Sequence, residues 1–148
     1  MNHRLAARVV ACLFGAIIGP AKAADSFYIG TWKFESAVVA PWADPKQKPD
    51  ATETARLLGK TVVFKAKGIA GPQPFACAGP RYKVSNFTAD MIFQGAFEGK
   101  DASKMAASLG LSGTIKTLET GCELDFHFVD DTTAEVGLND YVYTLRKQ

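Results

Sequence analysis

Three groups able to do chemistry stand close together near the C-terminal end. Glu123, Asp125 and His127 alternate along one short stretch, with Leu124, Phe126 and Phe128 between them. On a strand, adjacent members of the first set lie about 6.6–7 Å apart on one face. That spacing is wide for a shared metal ion, which needs convergent ligands from at least one more element. The alternation instead places the three on a solvated outer face, with Leu124, Phe126 and Phe128 turned to the core. His127 has no nucleophile near it in sequence; Ser103, Ser108 and Ser112 lie in an unrelated helix or loop region. No catalytic dyad, metal ligand set or cofactor motif emerges. Residues 68–79 hold three glycines but lack the Gly-Lys-Ser/Thr ending of a phosphate loop. The chain reads as a binding or interaction protein rather than an enzyme.

Aromatic residues are the second chemical resource. Trp42 stands in a loop of three prolines and four charges, residues 41–50. It reads either as a lid or partner-facing knob, or as a ring folded over a rim. Phe64, Tyr82, Phe126, Phe128 and Tyr143 all fall on apolar strand faces. With Trp42 they form the candidate ligand-binding set, the usual lining of a small-molecule site. The same residues would serve equally to fill a small core.

The export apparatus limits where such chemistry takes place. Arg4 and Arg8 precede an apolar run from Val9 to Ile18, and Ala21-Lys22-Ala23 makes a small-x-small cleavage site. Residues 1–23 therefore read as a signal peptide, too short in its apolar part for a spanning helix. Cutting before Cys12 in lipoprotein fashion would leave too little apolar core. Cleavage after Ala23 leaves 125 of the 148 residues, enough for one domain, residues 24–148. With Arg4, Arg8 and Lys22 gone, 14 of the 17 basic residues remain against 15 acidic, a net charge of −1. That balance gives no reason to expect nucleic acid as a partner. Cys12 also leaves, so Cys77 and Cys122 stay as an even pair in an oxidising compartment. Their expected state is a disulfide closing a loop of about 45 residues. A periplasmic or secreted monomer is expected.

Elements follow from periodicity and punctuation. Residues 26–40 read as a first strand, with Trp32, Phe34, Ser36 and Val38 on one face and Thr31, Lys33 and Glu35 on the other. Pro41 ends it. Residues 51–58 have a short helical pattern capped by Asp50 or Thr52. A second strand covers 61–67, and the glycines and prolines of 68–74 make a turn. Residues 75–78 and 81–87 read as strands split by Gly79-Pro80. Residues 90–97 are ambiguous. Asp101 or Ser103 caps a helix running to Leu109, with Gly110 as its stop. Strands at 114–120, 123–129, 133–138 and 141–146, joined by short turns, form an antiparallel meander. The fold class is mainly β: a small up-and-down barrel of about eight strands with one or two short helices.

Gly30-Thr31-Trp32 opens this barrel, and Arg146 (or Lys147) stands in its last strand. The Gly-x-Trp start resembles that of the lipocalins and the wider calycin superfamily. The resemblance implies a lipocalin-like barrel in which Arg146, or Lys147, lies over the Trp32 ring and ties the first strand to the last. It also implies a small apolar or amphipathic ligand of unspecified identity, with no cofactor, or a scaffolding role toward an envelope protein. The chain is similar as well to small exported bacterial proteins and to bacterial protease-inhibitor barrels with one disulfide. That second likeness implies an inhibitor or protein-interaction module acting through its loops. In those barrels the N-terminal segment inserts into the protease, whereas here only about six residues, 24–29, precede Gly30.

Overall fold

The computed structural model describes residues 26–148 apart from 98 and 100. The signal-peptide reading of residues 1–23 lies outside the described residues. Eight antiparallel strands form one curled sheet: β1 (Gly30–Val39), β2 (Thr61–Lys65), β3 (Gly68–Ala70), β4 (Lys83–Phe87), β5 (Ile115–Glu119), β6 (Phe126–Asp130), β7 (Thr133–Leu138) and β8 (Tyr141–Lys147). Their order across the sheet is β3-β2-β1-β8-β7-β6-β5-β4. Two short helices accompany them, α1 (Ala51–Ala55) and α2 (Ala102–Ser108). The Asp50 carboxylate caps α1 by accepting from the Thr52 and Glu53 amides, and the Asp101 carboxylate caps α2 by accepting from the Lys104 amide. Among the described residues no helix is long and apolar enough to cross a membrane.

Only the β3–β4 seam lacks a ladder in this order. Residues 71–82 strap across it instead. Cys77 exchanges both backbone hydrogen bonds with Ile69 of β3, at 2.8 and 2.9 Å. Its sulfur is bonded to Cys122, between β5 and β6. The Tyr82 hydroxyl donates to the Gly68 carbonyl at 3.1 Å, and the Arg81 amide donates to Thr120 at 2.7 Å. The sheet is thus a half-barrel closed along its open side by a disulfide and a few hydrogen bonds. Sequence reading placed a strand at 75–78 and a turn at 68–74. Here Gly68–Ala70 is the strand, and Cys77 contributes a single bridge.

The interior is packed with rings. Trp32, Phe34, Phe64, Phe126, Tyr143 and Leu145 are all at most 2% exposed. Trp32 meets Phe64 and Phe128 edge-on, Phe64 meets Phe126, and Phe34 meets Tyr143. The Trp32 indole donates to the Tyr28 carbonyl at 2.8 Å, so its one polar atom is satisfied inside. Gly30 precedes it at φ 131°, a backbone region that only glycine adopts freely.

The expected role of Arg146 as the cation over Trp32 is corrected. Lys147 takes it, with Nζ 5.7 Å from the ring centre, and its ammonium also donates to the Phe27 carbonyl. Arg146 sits on the opposite face, where its guanidinium bonds Glu35 and Thr133. Side-chain parity is the reason. Lys147 shares the inward face of Tyr143 and Leu145, and it stands directly across from Trp32 in the β1–β8 register.

The alternation expected for β1 also fails in its second half. A bulge between Phe34 and Ser36 inserts a residue against β8. Beyond it Ala37 and Val39 pack on the core, while Val38 is half exposed. A one-residue bulge exchanges the two faces of everything that follows.

Residues 88–113 form a second layer over the outer face of the sheet. Ile92, Phe93, Phe97, Ala106 and Leu111 pack there against Ile115 of β5 and Val142 of β8. Strands β5 to β8 are therefore largely buried on both faces, so alternation along them does not separate core from solvent.

Candidate functional site

The expected outward triad does not exist as a solvated face. Glu123 is exposed and Asp125 half-buried, but His127 is 2% exposed beneath the 88–113 layer. The Phe93 amide donates to His127 Nε2 at 2.9 Å, so Nε2 carries no proton. Nδ1 then holds the hydrogen and donates it to Thr117 Oγ1, 2.9 Å away. Burial drives the pKa of this ring down to about 3. Both nitrogens are committed, so the ring positions the covering layer and has no lone pair free for proton abstraction.

A buried polar row crosses the sheet at this level. Register pairs Thr117 with His127, His127 with Glu135, and Glu135 with Thr144. Glu135 is 5% exposed, and the Thr144 hydroxyl lies 3.0 and 3.2 Å from its two carboxylate oxygens. Burial pushes its pKa up to about 7, against the opposing pull of Thr144 and of the Arg146 charge.

At the rim of that face, beside His127, lies a pocket of about 220 Å³. Trp42, Phe93, Ala96, Leu124 and Leu138 supply apolar walls, and Gln94, Asp125 and Asn139 supply polar ones. Gly137 of β7 makes room for the rings. A β-carbon there would come within 3.0 Å of the Trp42 ring and 3.1 Å of the Phe93 ring. Trp42 leans on Phe93 and Phe97 at centroid distances of 5.0 and 5.8 Å, and its indole donates to the Asn139 carbonyl. Of its two expected readings, the ring folded over the rim is the one observed.

Backbone strain gathers at the same place. Among the described residues the non-glycine residues with positive φ are Phe93 (49°), Gln94 (58°) and Asn139 (54°), and all three line this pocket. Asn139 has a local reason, since it opens the tight β7–β8 turn and asparagine tolerates that conformation. Phe93 and Gln94 have none. With Gly95 at φ 77° they make a left-handed turn, which costs about 1–2 kcal/mol per non-glycine residue. The turn is held by the Phe93–His127 hydrogen bond and by Gln94 donating to the Glu123 carbonyl at 3.1 Å. Strain of this kind persists where surrounding contacts over-determine it, and it concentrates at binding sites. Gln94→Gly relieves that strain and also removes the Gln94–Glu123 hydrogen bond, so it is expected to change stability by less than about 1 kcal/mol, read from the urea midpoint. A fall well beyond that size would show that the side-chain bond outweighs the strain.

Asp125 is the charged member of the pocket. The Thr120 amide donates to Oδ1 at 3.2 Å, and among the described residues no cation pairs with it. Burial holds its carboxyl above the usual range, against the Thr120 bond and with help from the nearby Glu119 charge.

The sequence-derived ligand set is not brought together here. Phe64, Phe126, Phe128 and Tyr143 lie inside the packed barrel, Tyr82 ties the seam, and only Trp42 reaches the pocket. Against the packed side chains of Ile69, Phe75 and Phe126 a space of only about 10 Å³ remains. Phe93, Gln94 and Asn139 were not expected beside Asp125 and His127. The one signal for them was Gly137, a glycine inside a strand, which marks close approach of another group. Among the described residues no group of three histidine, cysteine, aspartate or glutamate side chains is placed to hold a metal. Comparison with protein-family models, curated proteins and solved structures gives no match for this chain.

Proposed function

We propose that this is an exported, lipocalin-like, monomeric binding protein of the periplasm or extracellular space. In this reading it takes a small amphipathic molecule at the outer rim rather than inside the barrel. The observation that carries the proposal is the Trp42–Phe93–Asp125 pocket, where aromatic walls, a carboxylate and a left-handed turn converge. Concave sites with mostly apolar walls and a few placed polar groups are the usual form of small-molecule sites. The packed interior supports the rim over the barrel. The Gly30-Thr31-Trp32 start, with Lys147 over the indole, supports the lipocalin likeness.

A second reading, the protein-interaction module, draws support from size. About 220 Å³ lies below the ~300–1,000 Å³ of typical ligand pockets and suits one inserted side chain of a partner. Native mass spectrometry of protein isolated from its own compartment separates the two. A bound small mass, lost in Trp42→Ala and kept in the interior variant Phe128→Leu, is expected. A clean apo mass together with a stoichiometric protein partner would replace the small-molecule reading with the second.

A further inference from the structure

The rim pocket holds a negative charge with nothing to balance it. Asp125 lines the cavity, is half-buried, and has no cationic partner among the described residues. Every other polar contribution is neutral: the Gln94 and Asn139 amides, and His127 with both nitrogens committed. The Trp42 donor is spent on the Asn139 carbonyl, and Gln94 gives one of its two amide hydrogens to the Glu123 carbonyl. Two aromatic faces, Trp42 and Phe93, border the same space. A carboxylate beside an indole attracts one ligand chemistry above others, because the ring quadrupole and the carboxylate both favour a positive charge. An anionic ligand would meet repulsion from Asp125 with no cation in the lining to offset it.

We propose that the ligand of this pocket is a small organic cation, an amine or quaternary ammonium group seated against Trp42 and facing the Asp125 carboxylate. The inference rests on the rim-binding reading and adds the charge of the ligand. The left-handed Phe93–Gly95 turn sets the ring of Phe93 beside Trp42, and Gly137 lets both rings pack closely onto β7. Asp125 keeps its place through the Thr120 amide, which leaves Oδ2 for the ligand. A cation of this kind also removes the penalty of an unpaired, half-buried carboxylate.

Titration calorimetry of the full chain with choline, with tetramethylammonium, and with 3,3-dimethyl-1-butanol, the uncharged carbon analogue of choline, tests the proposal. Choline is expected to bind about tenfold tighter than the analogue, with the advantage shrinking at high salt. Asp125→Asn keeps an acceptor for the Thr120 amide. It should bring choline down to the level of the analogue with a melting midpoint no lower than that of the parent. Equal binding of choline and analogue in the parent protein would overturn the cationic ligand while leaving the rim pocket as a binding site. Absence of binding by all three probes also overturns it. If the natively isolated protein is then also free of any bound mass, the rim-binding reading falls with it.

Discussion

Trp32→Ala should lower the stability of this protein by about 3–5 kcal/mol, the range for deleting a large buried aromatic. The indole is fully buried and touches Phe64 and Phe128 edge-on. It also bridges the end of the barrel, where its N–H holds the Tyr28 carbonyl and Lys147 lies over its face. The surrounding shell has limited freedom to collapse. Trp32 sits on β1, an interior strand paired on both sides, and its neighbours are anchored on β2 and β6. Urea unfolding followed by far-UV circular dichroism would give the loss, and Trp32→Phe should recover more than half of it. Lys147→Gln, which removes only the cation, should cost about 1 kcal/mol or less. A Trp32→Ala protein with an unshifted midpoint would remove Trp32 from its place as the structural plug.

The second large effect concerns pH, and it comes from two buried groups with opposite signs. His127 has a folded pKa near 3 against an ordinary value of 6.5, so the unfolded chain binds its proton first. Its contribution is full above pH 6.5 and is lost as pH falls toward 3, up to roughly 4 kcal/mol. Glu135 runs the other way. Its folded pKa near 7 exceeds the ordinary 4.5, so the folded protein binds the proton first. That contribution is present below pH 4.5 and is lost as pH rises to 7, roughly 3 kcal/mol at most. Between pH 4.5 and 6.5 the two slopes cancel. The groups facing this pair are Thr117 and the Phe93 amide on His127, and Thr144 and Arg146 on Glu135.

The parent protein is therefore expected to show a flat stability between pH 4.5 and 6.5 and a steep loss below. Glu119 and Asp130, held low chiefly by donation from Ser85 and Thr132, add to that acid-side loss. Glu135→Gln should be more stable than the parent at pH 8 and should lose stability across the whole window from 6.5 downward. Urea midpoints from pH 3 to 9 read both curves. An identical flat region in the variant would show that Glu135 does not offset His127.

Much of the fold was legible because one face of each strand is apolar and turn residues separate the strands. The Thr133–Leu138 strand and the caps at Asp50 and Asp101 were readable from local chemistry. The inward faces of β2, β6 and β8 follow simple alternation. Parity alone also contained the choice of Lys147 over Arg146. The Phe34–Ser36 bulge left no such mark, since an inserted residue alters pairing and not composition. The candidate site was the least readable part. His127 looked solvated because its neighbours alternate with it, and nothing local announced that residues 88–113 would fold over it. Phe93 and Gln94 gave no sign of a left-handed turn, because neither residue type favours that conformation.

By itself the sequence determined that this chain is an antiparallel β protein with Trp32 in its first strand. It determined too that Cys77 and Cys122 form the expected pair. These follow from period-two patterning, cysteine count and turn chemistry, which act over a few residues. The tertiary structure alone decided that the aromatic interior is packed rather than hollow. It decided also that a concavity with an aromatic wall and a carboxylate lies at the rim, between Trp42, Phe93 and Asp125. Those three come from positions 42, 93 and 125, and only the docking of a loop and a second layer onto the sheet brings them together. Whether rings that share a face leave a cavity depends on how their volumes interlock, and that is a property of packing in three dimensions.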